Sequence, residues 1–465
     1  NIPLKLALPL LVSILVLVLP EITLAHTGQR GFVMLLPTRF YMVGGGLVVG
    51  FTFVITVLLP SRKLEVSGLK NVVQPEPNPS FLASCLILVF AVLLILAGYF
   101  GSRDPLANPL PLTVWIVWWV GFTFLVAVVG NLWAVVNPWT AWLRLLSAIP
   151  GVRLFFGQFH LYPESLGYWP AVLGFFGFAW IELIYPAPQD PEILANFVVG
   201  YVLFTSLGMV RFGAKNWLAY GDAFCVFFRM VGWLSPIRWR PFQLRWPGRG
   251  LLELAPLPTS GVAFVLLTLS TVSFDGLSRT FWWLDLIGEN PLEYPGRTDL
   301  MARNTLGLLG AFTVFVVAYQ LTAWLGRRPG GSESGKCLRG FVLSIIPIAF
   351  GYHFAHYLPI FLVEVQYAVI ALSDPFGMDL NLLGITDWHV RTSLLTHHRS
   401  VEILWYWQVA GIVLAHVCAV IVSHALALQA TETRRTVLLS QIPTTVLMIG
   451  YTVFGLWLLS APVVS

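Results

Sequence analysis

One feature constrains this chain more than any other: long apolar runs that recur along its whole length. About eleven stretches of roughly 20 apolar residues follow one another, near 4–24, 38–60, 80–101, 112–136, 168–186, 192–212, 258–275, 303–326, 340–367, 403–428 and 437–459. A hydrocarbon core about 30 Å thick is crossed by roughly 20 residues of α-helix. Such runs exceed the length of a barrel strand. The expected fold class is therefore all-α, a polytopic transmembrane helical bundle of about eleven spans. Charge agrees: Asp, Glu, Lys and Arg make up only 11% of 465 residues, about half the share in a soluble domain. That excludes an ordinary soluble enzyme, a disordered chain and a nucleic-acid-binding domain. No large polar segment is present to hold a nucleotide. Membrane lipid is the expected surrounding, and neither nucleic acid nor nucleotide is an expected partner.

Positive charge sets the expected orientation. With the N-terminus inside and the spans alternating, the inside segments carry 19 of the 27 Lys and Arg residues and the outside segments carry 8. That is the bias of the positive-inside rule, and it puts the C-terminus outside. Residues 1–25 resemble a secretory signal, with Lys5 ahead of an apolar core and Thr23, Leu24 and Ala25 at a cleavable position. The expectation is a retained first helix, followed by a single polytopic domain over 26–465. His26 is then an outer-loop residue. Cleavage would instead expose its amine and imidazole, a copper-chelating pair. Two stretches between spans, 215–250 and 277–300, interleave aromatic residues with Arg and read as interfacial segments. The glycines of GGGLVVG at 44–50 suit close helix packing. Cys85, Cys225, Cys337 and Cys418 are scattered and form no CxxC pair.

Several phrases together form a recognisable pattern. They are GYHFAHYL (351–358), QYAVIALSDPFG (366–377), LLGITDW (382–388), AHVCAVIVSHALAL (415–428) and SQIPTTVLMIGYTVFGLWLLSAP (440–462), with AHTGQRG and NLWAVVNPW upstream. The chain resembles bacterial polytopic membrane proteins labelled fenitrothion hydrolase. The resemblance implies a multi-pass protein of the bacterial inner (cytoplasmic) membrane that hydrolyses organophosphate-type esters. It carries over no catalytic residues. The residues themselves show no GxSxG elbow, no HExxH helix and no phosphate-cradling Gly-rich loop.

The chemistry-bearing candidates are histidines. His353 and His356 stand three apart on one helix face, and His416 and His424 lie in the next span. Counting from the aromatic belt at Trp405, Tyr406 and Trp407, and from Tyr367 on the preceding span, His416 and His356 both fall about 12 Å deep. Two spans joined by one loop pack as neighbours. The expectation is that His353, His356 and His416 converge on one polar pocket, with Glu364 near its mouth as a ligand or general base. Such a set suits zinc, copper or a b-type haem. The plainer reading is that the histidines hydrogen-bond across helices and fix their packing. Weaker candidates are His424, His26, and Asp387, His389, His397 and His398 of the outer loop, whose default is a solvated loop. Glu182 reads as a helix-end carboxylate. Pro347, Pro359 and Pro443 interrupt spans, as in helices that line cavities. Three function classes follow: a binding or transport module with a buried histidine site for a metal, haem or small ligand, a membrane hydrolase, and a non-catalytic subunit packed against other membrane proteins.

Overall fold

The computed structural model describes residues 38–58, 80–151, 161–239, 242–294, 296–326, 340–385, 388–430 and 434–463. The run at 4–24, His26 and Asp387 lie outside the described residues. The chain is an all-α helical bundle with one small hairpin, and it is a multi-pass membrane protein. Among the described residues nine helices are long and apolar enough to cross a membrane. They are α1 (Thr38–Leu58), α2 (Phe81–Phe100), α3 (Pro109–Val129), α5 (Pro191–Phe212), α7 (Thr259–Ser278), α8 (Arg297–Leu325), α9 (Val342–Ser373), α10 (His398–Ala430) and α11 (Arg434–Ser460). Each coincides with a run read from the sequence. Two apolar helices are shorter, α4 (Trp169–Leu183) and α6 (Ala223–Gly232).

The helix ends meet in two layers of contacts. At one end, here termed upper, Arg103 pairs with Glu192, Arg297 donates to the carbonyls of Glu182 and Tyr185, and Phe281 N–H donates to Pro462. At the lower end Ser80 N–H donates to Val135 O, and the Ser235 hydroxyl donates to Val128 O. Local sequence makes the ends. The Asp190 carboxylate caps α5 by accepting from Ile193 N–H at 2.9 Å, and Pro191 starts the helix with its fixed φ. Gly213, at φ +79°, turns the chain away from the lower end of α5.

In the window that would cross the membrane, 78% of α7 is buried and only 6% of α8. The first is the central post, and the second a peripheral helix whose Leu306, Val314 and Val317 face outward. Such an apolar exterior suits lipid, where hydrophobicity alone does not drive helices together and close packing does. Accordingly α9 and α10 meet at small residues: a Cβ added at Gly351 would lie 2.3 Å from that of Ala415. The run of glycines in α1 packs on α11 in the same way, with Gly45 against Leu456 and Thr452.

The segment at 215–250 departs from its sequence reading. Beyond Gly213 the chain turns back into the bundle. It winds as a π-helix over Trp217–Gly221 and reaches Asp222 beside Tyr201 and Thr205, in the middle of α5. From there α6 descends to Ser235 at the foot of α3. Eight of its ten residues are buried. Its aromatics are enclosed: Phe224 packs on Trp118 and Phe178, and Phe228 on Trp133. Thus α6 is a re-entrant half-helix inside the bundle, a backbone tolerated at that depth because protein surrounds it. The hairpin β1 (Ile237–Trp239) and β2 (Phe242–Leu244) stands at the exterior, as do Lys215, Tyr220 and Trp246.

A candidate proton-exchange site at the upper end of the bundle

Four helices bring polar groups together below the upper surface. The central post α7 contributes Asp275, one turn from its end and 4% exposed. From α9 come His353, His356 and Tyr357, and from the end of α4 comes Glu182. The fourth helix is α3, wound as a π-helix over Leu112–Phe122. This wider winding, a frequent mark of functional sites, places Trp119 against His353 with ring centroids 4.8 Å apart.

The contacts form a chain. His356 Nε2 lies 2.9 Å from Asp275 Oδ2. The Tyr357 hydroxyl lies 2.8 Å from the same carboxylate oxygen and 2.9 Å from Glu182 Oε1. A phenol has one hydrogen to donate. Two close contacts to carboxyl groups therefore require a proton on one of the two acids. With His356 N–H and Tyr357 O–H both donating to Asp275, that proton belongs to Glu182, which donates to the phenol oxygen. The opposite arrangement is reached by moving two hydrogens along the chain with no heavy atom displaced. Glu182 gives its proton to Tyr357 O as the phenol hydrogen passes to Asp275. The imidazole of His356 is 36% exposed at the surface of the bundle, while Asp275 stays enclosed. Arg297 closes the top by holding carbonyls at and just beyond the end of α4, at 2.9 Å from Glu182 O and 3.2 Å from Tyr185 O.

Glu182, Tyr357, His353 and Trp119 also line an internal cavity of about 40 Å³. Its volume decides against haem, which requires a pocket of several hundred Å³. Among the described residues no group of three or more His, Cys, Asp or Glu is placed to hold a metal ion. Here the cause is visible, because the Tyr357 hydroxyl stands between the two carboxyl groups. The donor set fits neither zinc nor copper.

No family model, curated protein or solved structure matches this chain.

The structure brings only part of the sequence-derived set together. His353 and His356 share the site, linked through Tyr357, whose ring centroid is 4.7 Å from that of His353 and 4.8 Å from that of His356. His416 lies elsewhere. It is fully buried, with Nδ1 2.8 Å from Ile412 O of its own helix and its ring near Tyr352 and Tyr451. Tyr352 and His353 are successive residues of α9, about 100° apart around the helix, so His416 faces a different side of it. His424 Nδ1 meets Gln441 Oε1 at 3.1 Å and ties α10 to α11. Glu364 lies beyond Tyr357 along α9, half-buried. His389, His397 and His398 are exposed in or beside the upper loop. The residues that sequence reasoning missed are Asp275, Tyr357, Trp119 and Arg297, and it read Glu182 only as a helix end. Asp275 carried a usable signal: it ends an otherwise uncharged run, and an acid inside a span marks function by default.

Proposed function

We propose that this chain is a transport module of the bacterial inner membrane that exchanges protons, alone or coupled to a small ligand, through Glu182, Tyr357, Asp275 and His356. One observation carries the reading: a single phenol within 2.9 Å of two buried carboxyl groups, one of which also meets a half-exposed imidazole. Acids and imidazoles at membrane depth are costly and serve as proton relays in pumps and transporters. The 19 to 8 distribution of positive charge supports a cytoplasmic N-terminus, about eleven spans and an external upper end. Protons then enter at His356 from outside. The test is the full chain in liposomes with an internal pH dye. The reading expects proton uptake on an imposed gradient and its loss in Asp275→Asn. Uptake equal to that of protein-free liposomes would refute it.

A second reading is favoured by the same pair. A carboxylate that orients an imidazole is the positioning half of a hydrolytic dyad. Asp275 holding His356 Nε2 leaves Nδ1 to draw a proton from water, which would attack an organophosphate-type ester, as the resemblance to fenitrothion hydrolases implies. Release of nitrophenolate from such an ester by the purified chain, absent in His356→Asn, would favour it over transport.

A further inference from the structure

The cavity under the cluster has no part in the chain from His356 to Glu182, yet its walls are not those of a packing defect. A dry void is lined by apolar groups alone, whereas a hydrated one presents polar atoms that lack protein partners. At its upper end the Nε2 of His353, a residue 4% exposed, has no hydrogen-bond partner among the described residues. The indole N–H of Trp119, 5% exposed, interacts with Glu182 and Tyr357 without reaching good hydrogen-bonding geometry to either. Further along, Thr123, Thr268 and Thr271 line the same cavity. Each spends its hydroxyl hydrogen on a helix carbonyl: Thr123 on Trp119 O, Thr268 on Val265 O and Thr271 on Thr268 O. Their oxygens remain as acceptors. The walls thus offer one imidazole nitrogen and three hydroxyl oxygens, beside Glu182, Tyr357 and the Trp119 indole. A volume of 40 Å³ is above the roughly 10–15 Å³ that a single water needs, and at about 30 Å³ per water in the liquid it accommodates one or two. The lower wall is different. There the re-entrant helix α6 presents Phe227, Met230 and Val231, all apolar and buried.

We infer that this cavity binds a short file of water that carries protons from Glu182 to His353, and that α6 closes the file from below. The inference rests on the proton-exchange reading of the cluster and extends it inward. In the step, the O–H bond of the Glu182 carboxyl breaks and its proton passes to the first water. Each water gives up one hydrogen as it gains one, and the last forms an N–H bond at His353 Nε2. Glu182 is left as carboxylate and His353 as imidazolium; His356, protonated at its exposed side, then passes a proton to Asp275, and Asp275 reloads Glu182 through Tyr357. The apolar floor of α6 ends the file below His353.

The test combines infrared difference spectra of the full chain in lipid, recorded in ordinary and ¹⁸O-labelled water, with uptake in liposomes. Wild type is expected to show O–H stretching bands of bound water that shift with the label. Ala179→Leu, which fills the cavity from α4, is expected to lose those bands. Uptake should fall about tenfold in Thr271→Val, the effect of one lost hydrogen bond in the path. Thr271→Ser, which keeps the oxygen, should restore it. Bound-water bands that survive in Ala179→Leu, or wild-type uptake in a folded Thr271→Val, would overturn the water file while leaving the cluster intact. Wild type without uptake would instead remove the proton-exchange reading beneath it.

Discussion

Asp222 and Asp275 are both buried aspartates inside the bundle, and both meet a tyrosine hydroxyl. Around Asp222 every contact runs inward to one carboxylate. Tyr201 donates to Oδ2 at 2.7 Å and Thr205 at 3.0 Å, and the backbone N–H of Cys225 donates to Oδ1 at 2.8 Å. The carboxylate is fully enclosed, and among the described residues the Tyr201 hydroxyl meets no second acid. It is a cap that pins the start of α6 at mid-depth. Around Asp275 the tyrosine stands between two acids, and an imidazole on the carboxylate reaches the surface of the bundle. The same pair of residue types makes a dead end in one place and a conduit in the other. What decides is whether the phenol has a second acceptor, not whether the acid is buried.

Substitutions can break this comparison from either side. The largest effect is expected at the conduit: Asp275→Asn should abolish proton uptake into liposomes while the folded protein survives, because the amide still accepts one hydrogen bond. Retained uptake would mean that the carboxylate is only structural. Next comes the cap. Asp222→Ala leaves two hydroxyls and an N–H without an acceptor and removes a helix cap, so it should destabilise the bundle by about 3 kcal/mol, read as a lower midpoint of thermal unfolding in detergent. A midpoint equal to wild type would show that α6 does not depend on that carboxylate. Tyr357→Phe removes the link between the two acids without disturbing either, and uptake should drop about a hundredfold. The matching change at the dead end, Tyr201→Phe, should leave uptake untouched. The smallest effect is expected at His416, which belongs to neither site. His416→Leu should cost about 1 kcal/mol in stability and nothing in uptake, whereas a loss of uptake would tie the two sides of α9 together.

The apolar runs made the nine long helices legible, since nothing but a membrane-spanning helix explains about 20 such residues in a row. Adjacency of α9 and α10 was legible too, because a single loop joins them, and the glycines at 351 and 411 allow the close approach. The pairing of His353 with His356 followed from their spacing. Convergence of His416 with them did not, because depth along a helix says nothing about rotation around it. Asp275 was legible as the one acid closing an uncharged run, whereas Tyr357 was hidden by its resemblance to the many interfacial tyrosines of such proteins. The position of Trp119 depends on the π-helical winding of α3, which changes the side-chain register and leaves no periodicity to read. The segment leading into α6 looked interfacial because Trp, Tyr, Phe and Arg alternate there. Folded, its aromatics pack on one another inside the bundle, and Arg229 donates to the carbonyl of Ala219 at the preceding turn.

The most direct measurement is the infrared carbonyl stretch of protonated carboxyl groups in the full chain in lipid at neutral pH. The account predicts a protonated-carboxyl band that disappears in Glu182→Gln, shifts in Tyr357→Phe and is unchanged in Asp222→Asn. A spectrum without such a band, or one whose band vanishes in Asp222→Asn and survives in Glu182→Gln, would contradict the claim that Tyr357 joins two acids that share a proton.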